Sequence, residues 1–176
     1  MFGGAFASHA AGTNETNSIT KDYQAKAGFL LSFAKFVEWP TNAPGGLDKL
    51  SIGIIANSKV LGVITNELQG KQVGDRVIET IDCKTREEMK RCGMIFITRP
   101  KAARLAEVQN ALGTLPVLTV GEFDLFTERG GCINFVRKGE RIRLELNLSA
   151  EERAGLKISS KISAMTVNIR GREVEK

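Results

Sequence analysis

From residue 50 onward the chain alternates between unbroken apolar runs of strand length and amphipathic stretches of helix length. No other feature limits its possible folds as strongly. Leu50–Ala56, Met94–Thr98 and Pro116–Val120 are continuous apolar runs, the pattern of strands buried on both faces. Between them lie Lys59–Gln69 behind an Asn57-Ser58 cap, the short polar stretch Thr85–Arg91, and a helical stretch from Pro100 to Leu112. Pro100 suits a first helical turn, where a missing N–H costs nothing. Arg76–Asp82 reads as a more exposed, alternating strand. Strands and helices in this order predict βαβ units and a mainly parallel sheet covered on both faces.

Near the C-terminus the period changes to two. Cys132–Arg137 and Arg141–Leu148 alternate apolar and polar residues around Lys138-Gly139-Glu140, a β-hairpin signal. In the second strand Ile142, Leu144, Leu146 and Leu148 share one face, and Arg143, Glu145 and Asn147 share the other. Ser149 is expected to cap a short helix over Ala150–Ala154, ended by Gly155. The expected fold is therefore α/β: a single three-layer domain over residues 19–169, with a mainly parallel sheet flanked by helices and ending in an antiparallel hairpin. Residues 170–176 read as a polar tail. At 176 residues and 42% hydrophobic content, one sizeable core is within reach.

Ahead of this pattern, Ile19–Trp39 is helical. Tyr23, Ala27, Leu30, Ala34 and Val37 form one apolar stripe, and Phe29, Phe33 and Phe36 form a second, rotated by about 100°. Pro40 ends the helix. So wide an apolar surface fits either a deeply buried central helix or a helix with one face in the core and one for a partner. On the second reading Phe29, Phe33, Phe36 and Trp39 are the contact residues, for a partner protein or a second copy in a homodimer. Residues 1–18 open with small apolar Met1–Ala11, which carries signal-cleavage-like Ala5-Phe6-Ala7 and Ser8-His9-Ala10, followed by the polar spacer Gly12–Ser18. They read as a signal-peptide remnant or a flexible tail.

Several function classes drop out. The chain has one histidine, His9, in that leader-like segment, so a Ser-His or Cys-His nucleophile is not expected in the folded body. No Gly-rich dinucleotide loop or P-loop follows a strand, and no C-x-x-C pair offers a metal site. No enzyme activity, cofactor or metal is expected. Glu87-Glu88 and Glu151-Glu152 fit solvated helix faces. Cys83 ends one strand and Cys92 precedes the next parallel one, so the layout places them at opposite sheet edges, beyond the roughly 7 Å Cα limit of a disulfide. Cys132 begins the hairpin. Buried free thiols are the expectation, with pairing among the three open.

The net charge is +5, of which residues 137–176 carry +4. A basic C-terminal quarter suits an acidic partner, anionic lipid or nucleic acid, but no nucleic-acid-binding motif accompanies it, and nucleic acid is not expected. Asn134, Arg143, Glu145 and Asn147, with Lys157, Ser159, Ser160 and Lys161 beyond them, form a candidate polar recognition site for a partner or a small anionic ligand.

Taken together, Tyr23–Pro40 (YQAKAGFLLSFAKFVEWP), Cys92–Ile97 (CGMIFI), Pro116–Val120 (PVLTV), Gly130–Val136 (GGCINFV), Arg141–Leu148 (RIRLELNL) and Ala154–Lys161 (AGLKISSK) resemble the YfiR family in order and spacing. The resemblance runs from about residue 20 to 163. It implies a secreted, periplasmic regulator with a compact α/β domain, not an enzyme. The implied partner is the periplasmic domain of a membrane-bound diguanylate cyclase, whose repression lowers cyclic-di-GMP and biofilm formation. A small-molecule sensor acting on another membrane signalling protein is the alternative. The resemblance also favours the signal-remnant reading of residues 1–18. This chain departs from the family at Cys132, where methionine is common, and after Ile162, where a leucine-rich ending is expected.

Overall fold

The computed structural model describes residues 10–171. Its elements are α1 (Ala10–Phe36), β1 (Val37–Glu38), β2 (Lys49–Ile55), α2 (Ser58–Leu68), β3 (Gln72–Val73), β4 (Arg76–Asp82), α3 (Arg86–Lys90) and β5 (Met94–Ile97). A 3-10 turn (Arg99–Arg104) leads into α4 (Leu105–Leu112), followed by β6 (Leu118–Gly121), β7 (Ile133–Lys138), β8 (Arg141–Asn147), α5 (Leu148–Arg153), β9 (Lys157–Ile158), α6 (Ser160–Ser163) and β10 (Thr166–Arg170).

Eight strands form one sheet in the order β10-β8-β7-β6-β5-β2-β4-β3, and β1 and β9 form a separate antiparallel pair. The four pairings from β4 across to β7 are all parallel. The hairpin then reverses direction, with Lys138 opposite Arg141. Gly139 takes the positive φ of 62° that its two-residue turn requires. Helices cover both faces. One core cluster gathers α1, α2 and the sheet residues Ile52, Ile54, Met94, Phe96, Leu144 and Leu146. The other gathers α3 and α4 with Ile95, Ile97, Phe123 and Phe126. Alternate residues of β5 serve opposite clusters, which is why that strand reads as unbroken apolar sequence. The three-layer α/β domain with a terminal hairpin agrees with the reading from sequence.

Five local details differ from it, one at the end of α1: the helix stops at Phe36, and Val37–Glu38 is strand β1 where helix was expected up to Pro40. Helix α1 begins at Ala10, so Gly12–Ser18 belongs to the helix and is not a spacer. The cleavage-like segment before Ala10 and the tail from residue 172 lie outside the described residues. Pro100 opens a 3-10 turn, and α-helix starts only at Leu105; Arg104 sits at the junction and donates to the carbonyls of Cys83 and Lys84 at 2.9 and 3.0 Å. The cap of α5 is Asn147, whose side-chain oxygen accepts from the Ala150 N–H at 3.1 Å, and not Ser149. The Asn147 amide also donates to the Thr127 carbonyl at 2.8 Å, whereas the Ser149 hydroxyl donates to the Gly171 carbonyl. Finally, β3, β9, α6 and β10 form where no periodicity announced them.

Two glycines make room for one ring. A Cβ at either Gly121 or Gly131 would run into the Phe126 ring, which is wholly buried. The second residue of the Gly130–Val136 motif, Gly131, is therefore one of the two that leave space for the Phe126 ring.

Candidate functional site

The wide apolar surface of α1 is mostly used within the chain. Ala27, Leu30, Phe33, Ala34 and Val37 are buried against the sheet. Phe33 is 0% exposed and stacks on Phe135 with centroids 5.9 Å apart, so it cannot serve as an exposed contact residue in this fold. Phe29 is half-buried and meets Phe135 edge-on at 5.7 Å. The C-terminal segment covers the rest: β9 pairs with β1, the Ser159 N–H donates to the Phe36 carbonyl at 3.0 Å, and the Lys161 ammonium lies 4.8 Å over the Phe36 ring. The second stripe is wide because the chain returns to cover it.

What remains open lies at the C-terminal end of α1. Phe36 and Trp39 are half-buried, each with a cation over its ring, Lys161 on Phe36 and Arg76 on Trp39 at 5.1 Å. Such stacking holds aromatic edges in fixed positions at a wet surface. The Trp39 indole N–H donates to the Gly93 carbonyl at 2.9 Å, which anchors the ring. Beside it, a groove of about 620 Å³ runs between the end of α1 and the β3–β4 turn, with Leu47 on its wall 74% exposed.

A polar network not signalled by the sequence sits at the carboxyl ends of β5 and β6. Lys26 bridges Asp22 and Glu122, 2.6 Å from each. Glu122 also accepts from the Tyr23 hydroxyl at 2.7 Å and the Arg99 backbone N–H at 2.9 Å. Its side chain is 5% exposed, so all this bonding compensates a buried charge. Burial, and then the neighbouring Glu122 carboxylate, push the Tyr23 phenol well above its ordinary value. Arg137 pairs with Asp22 at the rim. The network walls a cavity of about 440 Å³ whose apolar side is Phe135, Ile142 and Pro100. Asp22 and Lys26 stand four apart on one helix, a spacing that brings their side chains together, whereas Glu122 lies 96 residues away in the chain.

The polar recognition residues expected from sequence do not form one site. Asn134 is 1% exposed and acts as a clamp, its amide accepting from the Phe123 N–H and donating to the Phe123 carbonyl and to Glu145. Asn147 is the buried helix cap described above. Glu145 and Arg143 are half-exposed and face away from Leu144 and Leu146. Lys157, Ser160 and Lys161 are exposed and Ser159 half-buried, on the segment that pairs with the end of α1. Ser159 caps α6 by accepting from the Lys161 N–H.

The cysteines need a correction. Cys83 and Cys92 are not at opposite edges: their sulfurs are 3.6 Å apart, and both are buried. Helix α3 has only five residues, so the chain turns straight back across the same sheet face, and both thiols settle over Gly53 of β2, where no side chain intervenes. All three cysteines are free thiols in this structure, and Cys132 belongs to the other core cluster.

Among described residues no group of His, Cys, Asp and Glu is arranged to hold a metal ion, and no helix is long and apolar enough to cross a membrane. Residues 23–165 match the profile of a family described as YfiR/HmsC-like. No curated protein matches the chain. Of solved structures, a conserved domain protein from Vibrio cholerae O1 biovar El Tor is similar at 14% identity and a TM-score of 0.54, over 68% of this chain and 54% of that one. The ABC domain in complex with L-Trp from Streptococcus pneumoniae is similar at 8% identity and a TM-score of 0.51, over 69% of this chain and 55% of that one. The chain thus spans about half the length of these structures, and at such identities the likeness is one of fold.

Proposed function

The chain belongs to the YfiR/HmsC-like family, and from that membership we propose that it is a periplasmic regulator that represses an inner-membrane diguanylate cyclase by binding the cyclase's periplasmic domain. Repression lowers cyclic-di-GMP and biofilm formation. The protein acts by contact: it binds one of two arrangements of the sensor domain more tightly, and that differential affinity shifts the cyclase towards its inactive state. The observation that supports a contact function is the open end of α1, where Phe36 and Trp39 each carry a stacked cation and Trp39 shares a groove with exposed Leu47. Aromatic anchors beside cations fit a partner surface that is apolar at its centre and acidic at its rim. Lys157 and Lys161 supply charge to that rim. Phe29 and Phe33 hold the helix in place and do not take part in contact. A homodimer formed through this same face is the competing occupant.

Leu47→Asp tests the surface without disturbing the core, because Leu47 is 74% exposed. The variant is expected to unfold at the wild-type temperature and to bind the isolated sensor domain at least tenfold more weakly. Unchanged affinity would refute this surface. If instead the wild type sediments as a dimer that Leu47→Asp dissociates, the face serves self-association.

The small-molecule sensor has one observation in its favour, the cavity beside the Lys26–Glu122 network with Arg99 and Arg137 on its rim. A ligand there would carry an anionic group and an apolar body. A thermal-shift screen of small carboxylates against wild type and Arg99→Gln checks it; no compound stabilising the wild type more than the variant would remove the reading.

A further inference from the structure

We propose that Cys83 and Cys92 are a disulfide-forming pair that closes residues 84–91, including α3, into a covalent loop, with Cys132 left as the unpaired thiol. The two sulfurs are 3.6 Å apart, so they need approach by only about 1.5 Å to reach bonding distance. The space they occupy is reserved for them: a Cβ on Gly53 would lie 2.5 Å from one sulfur and 2.8 Å from the other. The backbones on either side are fixed. Arg104 holds the Cys83 carbonyl, the Cys83 N–H donates to the Ile54 carbonyl at 3.1 Å, and the Cys92 N–H donates to the Met89 carbonyl at 3.2 Å. Cys132 is in the core cluster on the other face of the sheet and has no cysteine within reach.

Closure breaks two S–H bonds and forms one S–S bond. The two electrons and two protons pass to the disulfide of a thiol oxidase or of oxidised glutathione, which becomes two thiols. The hydrogen bond with Cys83, and then burial, hold the Cys92 thiol protonated in the finished fold, so exchange takes place while the chain folds and the pair is still reachable. The crosslink ends one residue before Gly93, whose carbonyl anchors the Trp39 indole. Closure therefore stiffens the anchor of the proposed contact surface. That the pair is oxidised in the cell rests on the periplasmic reading, because a reducing compartment keeps such thiols apart; the geometry does not rest on it.

The test is refolding of the denatured, reduced full chain into oxidised glutathione, followed by denaturation, alkylation without reductant and peptide mapping. One alkylated cysteine, Cys132, and a peptide linked between Cys83 and Cys92 with the loss of two hydrogens is the expected result. Three alkylated cysteines, or a link that includes Cys132, would overturn the proposal. The same mapping on exported protein separates the two readings: closure on refolding with free thiols in the exported chain counts against the location alone.

Discussion

At the residue scale, single positions here are decided by what faces them across the sheet. Gly53 is followed by two more apolar residues in a buried strand, and the two sulfurs above it, with Ile95 beside them, leave no room for a side chain. Gly53→Ala is expected to destabilise the reduced protein by about 1–3 kcal/mol through overpacking, measured by urea unfolding. Adding Cys83→Ala should return much of the loss, since it empties the volume that the new methyl needs; a loss that Cys83→Ala leaves unchanged would contradict the packing. Phe33→Ala should cost about 3–5 kcal/mol, the range for a large aromatic side chain truncated in a core. Both residues were visible in the sequence, but their environments were not. Periodicity places Phe33 on a helix face without saying that the chain's own C-terminal segment returns to widen the burial of that face.

At the scale of elements, the parallel strands and their helices were legible because burial on both faces writes continuous apolar runs, and the hairpin because a half-exposed strand writes alternation. The edge elements β3, β9 and β10 are short or exposed and write neither. The polar join between α1 and the end of β6, made by Lys26, Tyr23 and Glu122, was also invisible, because its partners lie far apart in sequence and carry no periodic pattern. Lys26→Met leaves Glu122 buried without its cation and should cost about 3–5 kcal/mol, whereas Lys26→Met with Glu122→Gln should cost clearly less; thermal unfolding of the four proteins of the cycle measures both. Between α5 and β9, Glu151 is 8% exposed and accepts from the Ile158 N–H. Burial raises its carboxyl above the ordinary value. The folded protein thus holds that proton more tightly than the unfolded chain, and wild type loses stability as pH climbs from the ordinary carboxylate value towards the folded-state one. Glu151→Gln keeps the acceptor and drops the charge. It should gain stability over wild type at pH 7 relative to any difference between the two below about pH 4. Urea midpoints at the two pH values decide it, and a constant difference would contradict the shift.

At the scale of the whole molecule, the fold and family membership account for different things. The three-layer sheet brings the end of α1, the β3–β4 turn and the C-terminal segment to one end of the domain, and so builds a surface of stacked rings and cations from residues far apart in sequence. Of the recognition residues expected from sequence, Asn134 and Asn147 turn inward to satisfy backbone groups, while Lys157 and Lys161 are exposed. Alternation along β8 showed which residues leave the core face; it could not show that the amide of Asn147 at its own end and that of Asn134 on β7 are consumed by the helix and loops beside them. Repression of a cyclase is read most directly as cellular cyclic-di-GMP in the native host. A deletion strain should show a rise, reversed by a copy carrying a signal peptide and not by the same copy confined to the cytoplasm. Unchanged cyclic-di-GMP on deletion, or reversal by the cytoplasmic copy, would contradict the account.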